Sequence, residues 1–334
     1  MKTSLWCFAV VLSVAASPAV RAADWEATTT DLINKEKPGY GGLSGVVVDH
    51  ATGEVYVYLS DRGLYRSKDQ GKTWARLEHG PAKGRTEWPG CLQIDPTGKS
   101  KRLVAATVYG GPIAVGALDG GDWKLLDNKS SHIDWCAVDW TDAELKFILA
   151  LKHESGGTLL ASADGGKSFA EVGKGYGPAW IFDAKTAVVA EAKTKDKAKP
   201  GLARTTDGGK TFQPCGEYSA TALPKWRDDA LYWLVDGALI HTTDAGKTWT
   251  KISDMKDGRY GPIFGKDAKQ MFVLTGAGVV ETKDGGTTWS KPVAPPAALK
   301  GVSALTWIDY DPINEVLYIM KMGSDLYQIQ RAKK

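Results

Sequence analysis

The octapeptide Thr205-Thr-Asp-Gly-Gly-Lys-Thr-Phe212 decides the fold, because close variants of it recur along the chain. The other four copies are Ser67-Lys-Asp-Gln-Gly-Lys-Thr-Trp74, Ser162-Ala-Asp-Gly-Gly-Lys-Ser-Phe169, Thr242-Thr-Asp-Ala-Gly-Lys-Thr-Trp249 and Thr282-Lys-Asp-Gly-Gly-Thr-Thr-Trp289. Successive copies start 95, 43, 37 and 40 residues apart, and a shortened copy, Leu118-Asp-Gly-Gly-Asp-Trp123, lies in the widest gap. A repeat of this length indicates a propeller or another repeat architecture.

The shared pattern is that of a turn between two strands. Asp accepts hydrogen bonds from backbone amides, Gly supplies a positive φ, and the flanking hydroxyl groups bind the remaining polar atoms. Alternating apolar residues stand on both sides, as in Gly63–Arg66 and Ala75–Leu77 around the first copy. Each octapeptide is therefore predicted to join the strands of a hairpin. The Asp residues predicted to have this structural role are Asp69, Asp164, Asp207, Asp244 and Asp284.

The octapeptide resembles the Asp-box, or bacterial neuraminidase repeat, of sialidases, two-propeller xyloglucanases, sortilin-type receptors and a photosystem II assembly factor. The resemblance covers nearly all of the chain after residue 22. It implies an all-β fold, a β-propeller, in which the boxes lie on the rim away from the ligand-binding face.

Blades are counted from the apolar strand that begins each repeat and ends at an Asp. Clear examples are Val46–Asp49, Leu92–Asp95, Ala137–Asp139, Ile181–Asp183 and Ile308–Asp311, with weaker ones at Arg227–Asp228 and Phe264–Asp267. The last repeat, Val302–Gln330, lacks a fourth strand, and Asp24–Thr30 resembles the strand that follows a box. A single seven-bladed propeller over residues 23–334 is predicted, with the N-terminal strand closing the last blade, since an open edge invites aggregation.

The first 22 residues read as a signal peptide, because Lys2 precedes an apolar run and Val20-Arg-Ala22 offers small residues for cleavage. We expect an exported protein, periplasmic or extracellular, with no membrane span. Removing Lys2 and Arg21 leaves 40 basic residues, from 42, against 39 acidic ones. Because basic and acidic residues nearly balance, we do not expect the protein to bind nucleic acid.

Three cysteines follow the predicted signal peptide: Cys91, Cys136 and Cys215. An odd number leaves at least one free thiol. The sequence leaves two alternatives for Cys91 and Cys136: they form a disulfide bridge, or both are buried free thiols. No metal-binding, nucleotide-binding or covalent-cofactor motif is present, so no cofactor and no metal are predicted, and we expect a monomer.

Function is expected on the face opposite the octapeptides, which holds the loops between blades and those between second and third strands. Trp88, Trp135, Trp180 and Trp226 recur there at intervals of 47, 45 and 46 residues, either as packing or as an aromatic mouth to the central channel. The candidate catalytic residues are Arg85, Glu87, His132, Asp134 and Arg259. The candidate ligand-binding residues are Trp88, Tyr109, Trp135, His153, Tyr176, Trp226 and Tyr260.

The first functional hypothesis is a scaffold that recognises a carbohydrate or protein ligand at the channel mouth, because no complete catalytic set can be assigned. The alternative is a glycan-active enzyme. Resemblance to sialidases implies three arginines and a tyrosine, for which Arg85, Arg227, Arg259 and Tyr260 are available. A glycoside hydrolase would use Glu87 and Asp134 as its carboxylate pair. A polysaccharide lyase would use His132 or His153 with Tyr109 and an arginine that neutralises the substrate carboxylate.

Overall fold

Seven antiparallel sheets form the blades of one ring in the computed structural model, which describes residues 25–78, 80–121, 123–193, 200–220 and 222–331. This architecture confirms the predicted all-β, seven-bladed propeller. The predicted signal peptide, residues 1–22, lies outside the described residues. Within the described ranges, no helix has both the length and the apolar character needed to cross a bilayer.

The first four blades each contain four strands in chain order, with the first strand innermost. Blade 1 consists of Leu43–Val48, Val55–Leu59, Gly63–Ser67 and Ala75–Arg76. Blade 2 consists of Leu92–Ile94, Arg102–Ala105, Ala114–Ala117 and Lys124–Leu125. Blade 3 consists of Ile133–Val138, Ile148–Lys152, Leu159–Ser162 and Ala170–Gly173. Blade 4 consists of Tyr176–Ile181, Ala187–Glu191, Leu202–Thr205 and Gln213–Gly216.

The last three blades complete the ring. Blade 5 consists of Lys225–Arg227, Ala230–Val235, Gly237–Thr242 and Thr250–Met255. Blade 6 has the three strands Gly258–Phe264, Met271–Thr275 and Gly278–Thr282, and an isolated bridge pairs its outer edge with Val293. Blade 7 has Thr306–Asp311, Val316–Lys321 and Leu326–Gln330, followed by the N-terminal strand Glu26–Ala27. The described helices are the α-helix Thr30–Glu36 and the 3₁₀ turns Asn128–Ser130 and Ala297–Leu299.

The N-terminal strand closes blade 7, as predicted, but it is shorter than the predicted segment 24–30. Glu26 lies opposite Gln328 in antiparallel register, and the Thr28 amide still donates to the Leu326 carbonyl at 2.9 Å. The strand ends because an α-helix begins at Thr30. The outer edge of the last blade is therefore covered by the beginning of the chain.

The innermost strands of blades 1 and 7 are joined through one carboxylate. Asp309 is 7% exposed and accepts a hydrogen bond from the Val48 amide at 2.9 Å. Its other oxygen lies 3.2 Å from Nε2 of His50. Because a buried carboxylate is stable only with such partners, this contact fixes the first blade against the last.

The five octapeptides lie after the third strand of their blades and share one set of hydrogen bonds. In the copy of blade 4, the Thr205 hydroxyl donates to Asp207 at 2.7 Å and accepts from the Gly209 amide at 3.0 Å. Asp207 also accepts from the amide and the hydroxyl of Thr211, at 3.0 and 2.6 Å. The other four copies repeat these contacts.

These hydrogen bonds lower the pKa of the octapeptide carboxylates, since they stabilise the ionised form. Donation by the Ser168 hydroxyl is the largest cause at Asp164, whose pKa falls to about 2. The hydroxyl of Thr248 lowers the pKa of Asp244 to about 2, and that of Thr288 does the same for Asp284.

The described cysteines are free, so the bridge between Cys91 and Cys136 that the sequence left open is not formed. Both thiols are buried. The Cys91 thiol donates to the Asp134 carbonyl and accepts from the Trp88 amide. Burial raises the pKa of Cys136 to about 12, so it is an inert core thiol.

We predict that the buried hydroxyl of Thr242 stabilises the turn of blade 5. Thr242 is 3% exposed, donates to Asp244 at 2.8 Å and accepts from the Gly246 amide at 3.1 Å. Thr242→Val keeps the shape but leaves the buried amide without a partner, which should lower the free energy of unfolding by about 1 to 3 kcal/mol. Thr242→Ser retains the hydroxyl and should lose less in denaturant unfolding. An equal loss in both variants would contradict this role.

We also predict that acid removes the stability contributed by the octapeptide carboxylates. The folded pKa of Asp244, about 2, lies below its ordinary value of 3.8, so between these values the unfolded chain binds more protons. The contribution is present above about pH 4 and is lost as the pH falls through about 2. Asp244→Asn should flatten the dependence of the melting temperature on pH in this window. Parallel curves for the two proteins would argue against it.

Candidate functional site

Six predicted site residues converge on the face opposite the octapeptides, and we refer to them as the His–Arg cluster. Arg85 and Glu87 lie in the loop before blade 2, and Tyr109 lies between the second and third strands of that blade. His132 and Asp134 stand at the start of blade 3, and His153 follows its second strand. The members of the His–Arg cluster are thus Arg85, Glu87, Tyr109, His132, Asp134 and His153.

Arg85 is held in one orientation by stacking and by an ion pair. Its Nε donates to Oε2 of Glu87 at 2.7 Å. Its guanidinium carbon lies 4.8 Å from the ring centre of Tyr40 and 4.7 Å from that of Tyr109. The side chain is 11% exposed, yet its two terminal amino groups make no hydrogen bond within the described part of the chain. These two groups are the free donors of the cluster.

Asp134, His153 and Tyr109 form a continuous hydrogen-bonded chain. Nδ1 of His153 lies 2.6 Å from Oδ1 of Asp134, and Nε2 lies 3.4 Å from the Tyr109 hydroxyl. A carboxylate accepts a hydrogen bond, so Nδ1 carries the proton and Nε2 of the neutral ring is an acceptor. The Tyr109 hydroxyl therefore donates to His153, at the exposed end of the chain.

Burial raises the pKa of Asp134, because desolvation disfavours its charged form. The hydrogen bond from His153 opposes this effect, as does a hydrogen bond from the Trp88 indole. The charge of Glu87 raises the pKa further. Asp134 thus depends on His153 and Trp88 for its charged state.

The backbone at this site is strained. Tyr109, His132 and Glu154 have φ values of 55°, 63° and 49°, in the left-handed region that favours glycine. Such residues cost on the order of 1 to 3 kcal/mol each and are concentrated at functional sites. The Tyr109 amide donates to Nδ1 of His132 at 3.2 Å, and the His132 and His153 ring centres are 4.8 Å apart. This amide and the Ile133 amide, which donates to the Thr107 carbonyl at 3.1 Å, hold the two loops together.

Exposed aromatic rings surround the His–Arg cluster. Tyr40, Tyr109 and Trp88 are 80%, 56% and 39% exposed, which is unusual for large apolar side chains. Tyr40 was not among the predicted ligand-binding residues. The sequence feature that could have indicated an exposed ligand-binding ring is an aromatic residue in a Gly-flanked loop, Pro38-Gly-Tyr-Gly-Gly42.

Other predicted site residues are placed elsewhere. Trp135 is 3% exposed and belongs to the core, so a ligand has no access to it. The Tyr176 ring packs on Phe212 with ring centres 5.4 Å apart. Tyr260 is buried, and its hydroxyl accepts a hydrogen bond from Lys225 at 2.8 Å. These side chains pack against neighbouring residues of the propeller instead of facing a ligand.

The sialidase-like arrangement is not assembled. Arg259 is exposed and pairs with Asp257 at 2.8 Å, away from the His–Arg cluster. Arg227 ends the innermost strand of blade 5 and donates to the Lys266 carbonyl. The three arginines considered for a sialidase site therefore do not converge.

A cavity of about 610 Å³ occupies the central channel and is lined by the innermost strands of six blades and, from blade 3, by Trp140 and Thr141 in the turn after the first strand. The indoles of Trp180 and Trp226 stack in its wall, with ring centres 5.9 Å apart and planes at 6°. One end of the cavity is lined by residues of the turns that follow the first strand of each blade, such as Asp228. At the other end a Cβ on Gly90 would come within 2.5 Å of Leu223, so loops of blades 2 and 5 meet there. Trp226 therefore lines the channel rather than the His–Arg cluster.

Comparison with known proteins shows the fold alone. No family model and no curated protein matches the chain. The structure is similar to "YCF48 bound to D1 peptide", with 14% identity, a TM-score of 0.52, and coverage of 95% of this chain and 100% of that chain. It is similar to the extracellular domain of the putative one component system BT4673 from B. thetaiotaomicron, with 9% identity, a TM-score of 0.57, and coverage of 88% and 39%.

A Niastella koreensis GH74 enzyme is a more distant neighbour, with 12% identity and a TM-score of 0.42. The alignment covers 88% of this chain and 64% of that chain. The chain thus spans about two fifths of that extracellular domain and less than two thirds of the enzyme. At these identities the likeness establishes a propeller and no more.

Proposed function

We propose that this chain is an exported recognition propeller whose His–Arg cluster binds an acidic glycan. The observation that carries the proposal is the pair of free terminal amino groups on Arg85, a buried arginine fixed between Tyr40 and Tyr109. Export rests on the signal peptide predicted for residues 1–22.

The ligand group that suits Arg85 is a carboxylate. A guanidinium offers parallel donors that match the two oxygens of a carboxylate, and such charge-assisted pairs are stronger than neutral ones. Glu87 occupies Nε at 2.7 Å, which leaves the terminal edge available. Because stacking already holds the side chain, binding costs little further conformational entropy.

The exposed rings favour a sugar as the carrier of that carboxylate. Tyr40 and Tyr109 are exposed rings beside Arg85, and the exposed Trp88 hydrogen-bonds to Asp134 of the same cluster. The C–H groups on one side of a sugar ring pack on the faces of such rings, while its acidic group reaches the arginine. An acidic peptide is the competing ligand, and the first experiment below separates the two.

A second candidate is β-elimination on the same glycan, favoured by the chain from Asp134 through His153 to Tyr109. Arg85 would neutralise the uronate carboxylate and so acidify the neighbouring C5 hydrogen. Tyr109 would give its hydroxyl proton to Nε2 of His153, and the resulting tyrosinate would take the C5 hydrogen as a proton. The C–H electron pair would form the C4=C5 double bond as the C4–O bond breaks. The departing oxygen would take up the proton that Tyr109 received from C5, and His153 would then return the hydroxyl proton to Tyr109.

Glycoside hydrolysis is less well supported by the same residues. Glu87 is paired with Arg85 at 2.7 Å, and Asp134 with His153 at 2.6 Å. Each carboxylate of the predicted pair therefore already has a cationic or hydrogen-bonding partner. To act as general acid and general base across a scissile bond, Glu87 and Asp134 would have to give up these partners.

We predict that Arg85→Lys weakens binding of acidic glycans. Lys keeps the charge but loses the planar pair of donors, which should cost about 1.5 to 3 kcal/mol, or roughly 10- to 100-fold in Kd. Binding is measured by calorimetry on the mature protein with uronate oligosaccharides, their carboxyl-reduced neutral forms and acidic peptides of equal charge. We expect the acidic oligosaccharides alone to bind.

Arg259→Lys is the discriminating variant, because Arg259 is exposed and paired with Asp257 outside the His–Arg cluster. It should bind as tightly as the wild type. Loss of binding in this variant, with none in Arg85→Lys, would move the site to blade 6. If the protein binds the acidic peptides more tightly than the oligosaccharides, the ligand is a peptide and not a glycan.

For the second candidate, we predict that Tyr109→Phe abolishes product formation while binding survives. Phe keeps the ring that stacks on Arg85 but lacks the hydroxyl 3.4 Å from His153, and removal of a general acid or base costs roughly 100-fold or more in rate. The assay follows the ultraviolet absorbance of unsaturated uronate. A wild-type protein that binds the glycan and releases no such product is a binder and not a lyase.

A further inference from the structure

We propose that His132, His153 and Glu154 form a binding site for a divalent cation of the zinc class. Their possible ligand atoms all lie within 4.8 Å of one another. His132 and His153 belong to the His–Arg cluster, but the zinc proposal does not rest on the acidic glycan, because none of its ligand atoms is on Arg85.

The spacing of two ligand atoms fits a shared ion better than a hydrogen bond. Nε2 of His153 lies 3.6 Å from Oε1 of Glu154. This exceeds the usual donor–acceptor distance of a protein hydrogen bond. Two atoms bound to one zinc ion at about 2.1 Å with a tetrahedral angle lie about 3.4 Å apart. The two side chains are thus already separated by nearly the required span.

Asp134 orients His153 for this role. It accepts from Nδ1 of His153 at 2.6 Å, so the proton of the neutral ring is on Nδ1 and the lone pair of Nε2 points away from Asp134. A carboxylate on the second ring nitrogen is the usual support of a metal-binding histidine. Asp134 is 9% exposed and fixed in the core, which makes the orientation rigid.

His132 completes the set through a change of hydrogen bonding. Its Nδ1 accepts from the Tyr109 amide at 3.2 Å, which leaves the proton of the neutral ring on Nε2. Coordination through Nδ1 would displace the amide directly, and coordination through Nε2 would move the proton to Nδ1, so either mode breaks the contact with the amide. Metal binding therefore acts on Tyr109, whose ring lies over Arg85 at 4.7 Å.

The donor set selects the class of ion. Two imidazole nitrogens and one carboxylate are typical of zinc sites that keep an open position for water or a ligand. Calcium prefers six to eight oxygen donors, which this set does not provide. The Glu154 side chain is 71% exposed, so the open position is accessible from solvent.

The test is calorimetric titration of the chelator-treated mature protein with zinc chloride, with metal content confirmed after dialysis. We expect one equivalent of zinc and no comparable binding of calcium. Glu154→Gln removes the charged ligand at an exposed position where folding is unaffected, and should weaken zinc binding at least tenfold. His132→Gln should weaken it further.

His241→Gln is the control, because His241 lies in the third strand of blade 5 and, among the described residues, belongs to no such three-residue group. It should leave the stoichiometry and affinity unchanged. Absence of stoichiometric zinc binding would overturn the proposal. So would wild-type affinity in both Glu154→Gln and His132→Gln, loss of zinc only in His241→Gln, or a preference for calcium. None of these measurements contains a glycan, so their failure leaves the proposal for Arg85 untouched.

Discussion

The pairing of the two chain ends holds the rest of this structure in place. Glu26 and Ala27 lie beside Gln328 and Tyr327, and Asp309 binds the Val48 amide across the boundary between the last and first blades. A propeller has no separate core for each blade, because each sheet buries its faces against its neighbours. Once the ring is closed, the innermost strands have fixed positions, and so do the loops at their ends. The His–Arg cluster depends on this closure, since its residues come from loops of separate blades.

In the first three blades, loops of separate blades fold onto one another. Arg85 of one loop stacks on Tyr40 of another and Tyr109 of a third, and His153 reaches back to Asp134 within blade 3. Left-handed conformations at Tyr109, His132 and Glu154 oppose this arrangement, so the contacts among the loops must outweigh the strain. The opposite face carries turns that are satisfied by their own side chains.

The blades were predictable because their signals are local. The hydroxyl of Thr205 and the carboxylate of Asp207 are two residues apart, so one octapeptide contains its own hydrogen bonds. Much of the site was not predictable, because access to a side chain depends on what packs over it from distant blades. Trp88 and Trp135 recur at a similar interval, yet Trp88 lies in the loop before blade 2 and is 39% exposed, whereas Trp135 lies inside the innermost strand of blade 3 and is 3% exposed. A metal site at His132, His153 and Glu154 was not predictable from the sequence, because the group joins two loops and follows no metal-binding spacing.

Tyr109 links the three chemical elements of the site. Its ring lies over Arg85, its hydroxyl is 3.4 Å from Nε2 of His153, and its amide donates to Nδ1 of His132 at 3.2 Å. A zinc ion at the proposed site would take the Nε2 that now receives the hydroxyl and would displace the amide contact. Zinc and an acidic ligand would then both act on the position of one residue. Any change in affinity that one produces for the other must be reciprocal, because such coupling is a property of the equilibrium and not of the order of binding.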